Sequence, residues 1–308
     1  MLGKRFIIVG GKGGVGRTTV AVSLATLLAR RGRRVLLLHV RTRQRVAQLL
    51  GTSVEIDEEI RAVEPNLWAV NTNPQAALRE KAMMVLRFRV VYRAVMENRV
   101  IKYFLRAVPA LNEYSMLGKA WYHTTETVDG HFAYDTVVFD GPAMGHLITM
   151  LRIPQIICET VPDGPLRADA HHVRDLLQDP ARTGLCIVAL AEEMPAREAV
   201  ELHEAARSDL RIAPQWVVVN ALYPSDLERE PALAEALSRL RAADTAPELA
   251  PLLASAETLR ARRAINRRYL DLLRGRIPLP LVELPHVFLP QLDRGAVDLL
   301  ASHLEALL

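Results

Sequence analysis

A glycine-rich segment near the beginning of the chain has the residue types and spacing that bind phosphate. Residues 10–19 read Gly-Gly-Lys-Gly-Gly-Val-Gly-Arg-Thr-Thr and directly follow an apolar run at 6–9. The segment approaches the pattern G-x-x-x-x-G-K-[ST], in which backbone N–H groups surround phosphate oxygens, the lysine contacts the phosphates and the hydroxyl binds Mg²⁺. One position departs from the pattern, because Arg17 stands where the lysine is expected. The predicted nucleotide-binding residues of the loop are Gly11, Lys12, Gly13, Gly14, Val15, Gly16, Arg17, Thr18 and Thr19.

The elements that must position this loop are short apolar segments alternating with helical ones. Several of the apolar segments lack polar alternation, as expected for strands that are covered on both faces. This order predicts an α/β fold with a doubly wound, mostly parallel sheet, and we expect residues 1–308 to form a single domain. The predicted strands are 5–10, 34–40, 67–71, 135–140, 185–190, 216–220 and 281–285.

Residues 75–130 interrupt the alternation. This segment is longer than an ordinary connection between strands, and it carries apolar residues, several of them methionines, at helical spacings. We expect a helical subdomain inserted into the sheet domain. Its apolar stripe either packs against the rest of the domain or forms a groove for a hydrophobic client, since methionine-bearing surfaces suit such binding.

Composition and charge exclude several classes of protein. The net charge is +4, but 35 acidic residues are interspersed with the basic ones, so we expect no nucleic-acid partner. Cys158 and Cys186 are too far apart to form a metal-spaced pair, and we expect two buried free thiols and no zinc site. Free thiols fit a reduced, cytoplasmic setting. No apolar run approaches the roughly 20 residues that span a bilayer.

A second lysine, Lys12, lies early in the glycine-rich loop, and with it the chain resembles the ArsA/Get3 family of deviant P-loop ATPases. Three later segments are similar to motifs of the same family. Residues 140–146 read Asp-Gly-Pro-Ala-Met-Gly-His and resemble its second switch. Asn220, followed by Pro224, resembles its adenine-contacting segment. Pro285, with Arg294-Gly295 further on, resembles the stretch that closes the base pocket.

The resemblance implies a nucleotide site and a partner. It implies that ATP is the ligand, that Asn220 and Pro285 contact the base, and that Thr18 and Asp140 hold Mg²⁺ if the ion binds. In this family the early lysine, here Lys12, reaches the nucleotide of a facing subunit. The resemblance therefore implies a dimer, either with itself or with a paralogue. The family's transport and targeting clients are not carried over to this chain, but a hydrophobic or membrane-protein client remains open, and such a partner would bring the chain to the membrane periphery.

Three departures from the family pattern concern hydrolysis. Arg17 replaces the phosphate lysine, Arg41 stands in the place of the first-switch aspartate, and Met144 replaces the second-switch threonine. Arginine is forked and planar, and methionine cannot supply the hydrogen bonds of a hydroxyl. We therefore assign no residue a catalytic role, and we predict a pseudo-ATPase that binds ATP but hydrolyses it weakly or not at all.

Three alternatives to that prediction remain open. Asp57 is the nearest downstream aspartate and could supply the carboxylate that Arg41 replaces, although it lies beyond the probable end of a helix at Gly51. The chain could instead be an active, self-dimerising ATPase with an unusual site. It could also be a nucleotide-independent scaffold that binds an apolar client through residues 75–130.

Overall fold

The computed structural model describes residues 3–40, 43–73, 109–225, 235–236, 238–240 and 249–307. Eight strands form one sheet in the order β10-β9-β8-β1-β7-β2-β4-β3, and β5 pairs with β6 in a separate hairpin. All neighbouring pairs of the large sheet are parallel except β3 with β4, so the fold is α/β as predicted. The strands are β1 (Phe6–Gly11), β2 (Val35–Val40), β3 (Arg61–Glu64), β4 (Leu67–Thr72), β5 (Thr127–Val128), β6 (His131–Phe132), β7 (Thr136–Asp140), β8 (Thr183–Leu190), β9 (Pro214–Leu222) and β10 (Leu281–Pro285).

Helices cover both faces of the sheet. Alternate residues of β1 point to opposite sides, with Phe6 and Ile8 in one apolar cluster and Ile7 and Val9 in the other. Because both faces are buried, the strand needs a continuous apolar run. The helices are α1 (Arg17–Arg30), α2 (Arg43–Leu50), α3 (Pro109–Thr125), α4 (Met144–Thr160), α5 (Pro165–Gln178), α6 (Glu193–Ser208), α7 (Ala250–Arg276) and α8 (Arg294–Leu304), followed by a 3₁₀ turn at Glu305–Leu307.

The seven predicted strands are all present, with ends within two residues of those expected. The prediction missed β3 and the hairpin of β5 and β6. These strands have only two to four residues, are largely exposed and carry polar side chains, so they lack the apolar run that marks a buried strand.

Only the later part of the predicted insertion at 75–130 belongs to the described residues, since 74–108 lie outside them. Helix α3 begins at Pro109, a position where proline removes no helical hydrogen bond. Its side chains Tyr114, Met116 and Leu117 join the same apolar cluster as Phe6. This helix therefore packs into the main core, and the inserted subdomain as a whole stays a prediction.

Two further expectations concern the thiols and membrane spans. Cys158 and Cys186 are both buried and free, as predicted. None of the helices in the described ranges is both long and apolar enough to cross a bilayer.

Candidate phosphate-binding site

The glycine-rich loop joins the carboxyl end of β1 to the first turn of α1, and its backbone leaves no room for side chains at two positions. A Cβ atom on Gly11 would lie 2.2 Å from the carbonyl oxygen of Val188 in the neighbouring strand β8. A Cβ atom on Gly16 would lie 2.2 Å from Nδ2 of Asn220, and Gly16 has φ of +89°. Both positions therefore require glycine.

The middle of the loop is open, whereas its flanking side chains serve the core. Gly13 and Gly14 are exposed, and a Cβ atom at either would meet nothing within 4 Å. Val15 and Thr19 are buried, at 1% and 4% exposure. The side chains of Val15 and Thr19 therefore cannot contact a bound phosphate. The exposed glycines leave space for a phosphate at the loop backbone.

The guanidinium of Arg17 forms a hydrogen bond within the protein. Its Nη1 donates a hydrogen bond to the backbone carbonyl of Gly141, just beyond the end of β7. Burial lowers the pKa of Arg17, and the nearby Asp140 carboxylate acts in the opposite direction. The guanidinium remains charged in proteins, so the loop keeps a cation at this position, but that cation is directed at the peptide backbone.

Thr18 and Asp140, the predicted Mg²⁺ ligands, are in contact. The Thr18 hydroxyl donates to Oδ2 of Asp140 at 2.6 Å. Burial raises the pKa of Asp140 to about 6, against the opposing effects of the Thr18 hydrogen bond and the Arg17 charge. Within the described part of the chain, no group donates a hydrogen bond to the other oxygen, Oδ1, although that atom is buried.

The Thr18 hydroxyl and the Asp140 carboxylate suit Mg²⁺, which is usually bound through one or two protein oxygens together with substrate phosphates and water. The described ranges contain no cluster of three or more His, Cys, Asp and Glu side chains that could hold a metal ion by itself. A divalent ion at this site would therefore depend on the phosphates of a nucleotide. The unpartnered Oδ1 of Asp140 is the protein atom that such an ion would satisfy.

Lys12 has a partner that the sequence analysis did not identify. Its ammonium group forms an ion pair with the carboxylate of Glu198 in α6. The two residues are 186 positions apart, and they meet because β8, which precedes α6, lies directly beside β1. Glu198 is one of several acidic residues in its helix, and nothing local in the sequence distinguishes it.

Asn220 and Pro285 line one cavity, as expected for two parts of a base pocket. The cavity has a volume of about 280 Å³ and is also lined by Arg45, His286 and Leu292. The Asn220 side chain has a second contact: its Nδ2 donates to the carbonyl of Val15 at 2.9 Å. Asn220 therefore ties the phosphate loop to β9 at the rim of this cavity, a role that its sequence motif did not reveal.

Two predicted positions remain, one in the first turn of α4 and one outside the described residues. Met144 is the first residue of α4 and packs, partly buried, against the core. Arg41 lies outside the described residues.

Asp57, the alternative to a first-switch aspartate, is engaged elsewhere. Its carboxylate accepts hydrogen bonds from the Arg61 guanidinium and the Glu59 backbone, both at 2.9 Å. Its own carbonyl accepts from Asn71 of β4. That strand lies three positions from β1, which is roughly 14 Å at the usual strand spacing. The interpretation of Asp57 as a replacement carboxylate is therefore not supported.

Comparisons with known proteins match this chain to one family. A family model described as an anion-transporting ATPase matches residues 4–162, which include the loop and the 140–146 segment. ATPase BagA of Mycobacterium tuberculosis is 30% identical over 235 residues, covering 73% of this chain and 67% of that protein. An arsenical pump-driving ATPase of Escherichia coli is 27% identical over 252 residues, covering 75% of this chain but only 42% of that longer protein. ATPase ASNA1 homolog 1 of Paramecium tetraurelia is 27% identical over 154 residues, covering half of this chain and 44% of that protein.

Proposed function

This chain belongs to the anion-transporting ATPase family, and from that membership we propose that it is a nucleotide-binding subunit that binds ATP with Mg²⁺ but hydrolyses it weakly or not at all. The observation that carries the proposal is the hydrogen bond from Arg17 to the carbonyl of Gly141. The cation that normally contacts the phosphates is here an arginine directed at the backbone.

Weak hydrolysis follows from how phosphoryl transfer is catalysed. Enzymes accelerate this reaction mostly by positioning and by electrostatic stabilisation of the transferring group. Removing one well-placed donor from a transition state costs roughly 3 to 4 kcal/mol, or about a hundredfold to a thousandfold in rate. Arg17 donates through Nη1 to Gly141 and has a planar, forked guanidinium in place of a lysine ammonium group, so its donors reach the phosphates with a different geometry. The sequence also places a second cation, Arg41, where the family has a carboxylate.

Nucleotide binding is supported by features that these substitutions leave in place. The glycine backbone, the Thr18 hydroxyl, the Asp140 carboxylate and the cavity beside Asn220 are all present. Bound Mg²⁺ would neutralise phosphate charge, and Thr18 and Asp140 would hold it. A ligand that binds only the folded state stabilises it by about 2.7 kcal/mol at a hundredfold excess over its dissociation constant.

The binding test is thermal unfolding of the purified chain with and without Mg-ATP. We expect a higher melting temperature with nucleotide, because binding favours the folded state. No change at millimolar Mg-ATP would overturn the proposal and favour the nucleotide-independent scaffold. Adenosine serves as the ligand control, since it carries the base and the ribose but offers no phosphates to the loop.

The hydrolysis test compares the wild-type chain with an Arg17→Lys/Arg41→Asp double variant. We expect phosphate release to rise at least about tenfold in the double variant, since both changes restore the family residues. Arg30→Lys, an exposed position in the last turn of α1, is the matched control and should leave the rate unchanged. Equal rates in the wild type and the double variant would contradict weakened hydrolysis.

We also propose that the subunit acts in a dimer, either with itself or with a paralogue that retains the lysine and the aspartate. The retained Lys12 supports this, because in the family this residue acts on a facing subunit's nucleotide. Light scattering with Mg-ATP should show a dimer, either of this chain by itself or of this chain mixed with such a paralogue. A monomer in both samples, with and without Mg-ATP, would contradict pairing. The client, for which we propose a hydrophobic segment or a membrane protein, would bind that assembly.

An active ATPase is the second candidate, and one observation favours it. The Thr18 hydroxyl and the Asp140 carboxylate retain a 2.6 Å contact beside the loop, as expected for a working Mg²⁺ site. In that case Arg17→Lys alone should barely alter turnover, which distinguishes this candidate from the first.

A further inference from the structure

Strand β9 contains a β-bulge beside the candidate site. From Val219 to Leu222 the chain of β9 advances three residues, whereas the paired positions of β10 advance two. The extra residue lies at Asn220–Ala221, so the bulge includes the asparagine that contacts the phosphate loop. Bulges are rare between parallel strands, and they recur next to active sites, where they redirect a side chain.

Ala221 has a backbone conformation that is unfavourable for its residue type. Its φ is +55°, in the left-handed region that alanine rarely adopts. Three other non-glycine residues of the described ranges have a positive φ, and all three lie in connections between elements: Asn66, Asp129 and Arg211. Ala221 alone among the four lies within a strand. Strain of this kind persists where the surrounding structure enforces it, and it is concentrated at functional sites.

The bulge changes which face of the sheet each side chain of β9 meets. Before it, Val217 and Val218 belong to the two opposite apolar clusters. Strict alternation would place Leu222 on the side of Val218, but Leu222 packs in the cluster of Val217. Asn220 stays on the side of Val218, where its amide reaches the carbonyl of Val15 at 2.9 Å. The extra residue therefore lets Asn220 reach the phosphate loop while the next part of the strand returns to the core.

Helix α7 holds the residue that follows the bulge by both of its backbone groups. The N–H of Tyr223 donates to Oδ1 of Asn266 at 2.9 Å, and the carbonyl of Tyr223 accepts from Arg263 at 3.3 Å. Nδ2 of Asn266 donates to the carbonyl of Ala191, just beyond β8, at 3.1 Å. Asn266 is 4% exposed, so a buried side chain uses both ends of its amide to tie α7 to β8 and β9.

We propose that Asn266 is a positioning residue of the nucleotide site, and that it acts on Asn220 through the bulge of β9. The inference rests on the proposed binding of nucleotide. Asn266 fixes Tyr223 on one side of Ala221. On the other side, pairing with β8 fixes the backbone of Asn220. With both ends held, Ala221 keeps its left-handed conformation and Asn220 keeps its contact with the phosphate loop.

The test is a double-mutant cycle of Asn266→Ala and Asn220→Ala, measured by titration calorimetry with Mg-ATP. Asn266→Ala should weaken binding about five- to tenfold, the effect expected from losing one hydrogen bond at the site. In the Asn220→Ala background the same substitution should change affinity less than twofold, because its effect passes through Asn220. Equal losses in both backgrounds, or no loss in either, would overturn the inference.

Mg-tripolyphosphate is the second ligand, since it carries phosphates but no base. Asn266→Ala should weaken its binding as well, because Asn220 holds the phosphate loop. Gln178→Ala is the matched control for lost stability: it removes an amide hydrogen bond to the carbonyl of Leu210, away from the loop. Its affinity for both ligands should stay within twofold of the wild type. Loss of Mg-ATP affinity without loss of tripolyphosphate affinity in Asn266→Ala would contradict action through the phosphate loop.

A second variant tests the bulge itself. Ala221→Val places a β-branched side chain where φ is positive, a conformation that such residues resist. We expect about five- to tenfold weaker binding of Mg-tripolyphosphate. Arg211→Val introduces the same conflict in the connection between α6 and β9, and the folded protein should keep wild-type affinity. Wild-type affinity in Ala221→Val would show that the bulge does not position Asn220 and would overturn the inference.

These outcomes separate the inference from the proposed function. If the wild type binds Mg-ATP and Asn266→Ala binds it equally well, the role of Asn266 fails and nucleotide binding stands. If the wild type binds neither Mg-ATP nor Mg-tripolyphosphate, the proposed function and this inference fail together.

Discussion

The two ends of strand β7 carry aspartates whose surroundings are opposite in kind. At the amino end, Asp135 accepts hydrogen bonds from the backbone N–H and the guanidinium of Arg34, both at 2.8 Å. These contacts lower the pKa of Asp135. At the carboxyl end, Asp140 is 3% exposed and accepts one hydrogen bond from Thr18, and its burial raises its pKa to about 6.

The difference separates a charge that serves the fold from one that we propose serves a site. Asp135 is one-third exposed and lies among arginines that need its charge, including Arg5, Arg33 and Arg34. Asp140 is a buried carboxylate, and burial makes its ionised form unfavourable in free energy. Strongly raised carboxyl pKa values of this kind cluster at functional sites. The fold therefore tolerates Asp140, and the binding of a cation would relieve the cost.

The largest expected effect is at Asp140. Its pKa is raised by folding, so the native state binds a proton more tightly, and stability falls as pH rises from about 4 through 6. Asp140→Asn removes the buried charge and should be more stable than the wild type at pH 8 by up to roughly 3 kcal/mol. At pH 4 the two should be nearly equal. Urea unfolding without Mg²⁺ at both pH values measures this, and equal stability at pH 8 would break the comparison.

Thr18→Val should have the next largest effect, with the opposite sign. It removes the donor to Asp140 and leaves both carboxylate oxygens without a protein hydrogen bond, at a cost of about 2 kcal/mol at pH 8. The loss should shrink to about 1 kcal/mol in an Asp140→Asn background, where no charge is left unpaired. A double-mutant cycle by urea unfolding gives the coupling energy. A coupling near zero would mean that Thr18 does not stabilise the buried carboxylate.

Asp135→Asn should have the smallest effect, and it too should destabilise the protein. We expect a loss of about 1 kcal/mol at pH 7, because the ion pair with Arg34 is partly screened by solvent. The folded pKa of Asp135 is lowered, so its contribution is present above the ordinary carboxyl pKa and is lost as pH falls through the folded value. Unfolding in 0.1 and 1 M NaCl at pH 7 should show a smaller loss at high salt. A stabilising substitution would contradict the contrast with Asp140.

Much of this site could be predicted from sequence, because local signals mark it. Glycine spacing located the loop. Apolar runs located the parallel strands, and Asp140, Asn220 and Pro285 lie toward the carboxyl ends of three of them. The pairing of Glu198 with Lys12 could not be predicted, since it depends on β8 lying beside β1. The same holds for the carbonyl of Gly141, because any residue type supplies a backbone acceptor. Contacts between side chains more than a hundred residues apart depend on the order of the strands in the sheet, and that order cannot be predicted from local sequence patterns.

The hydrogen bond from Asn220 to the carbonyl of Val15 also bears on synthesis of the chain. It joins residues 205 positions apart. At translation rates of about 5 to 20 residues per second, the second residue is made roughly 10 to 40 s after the first. The phosphate loop thus leaves the ribosome long before β7, β8 and β9, which hold it in shape. The nucleotide that we propose as ligand can assist folding only after β9 has been made, so the nascent amino-terminal segment must avoid aggregation without it.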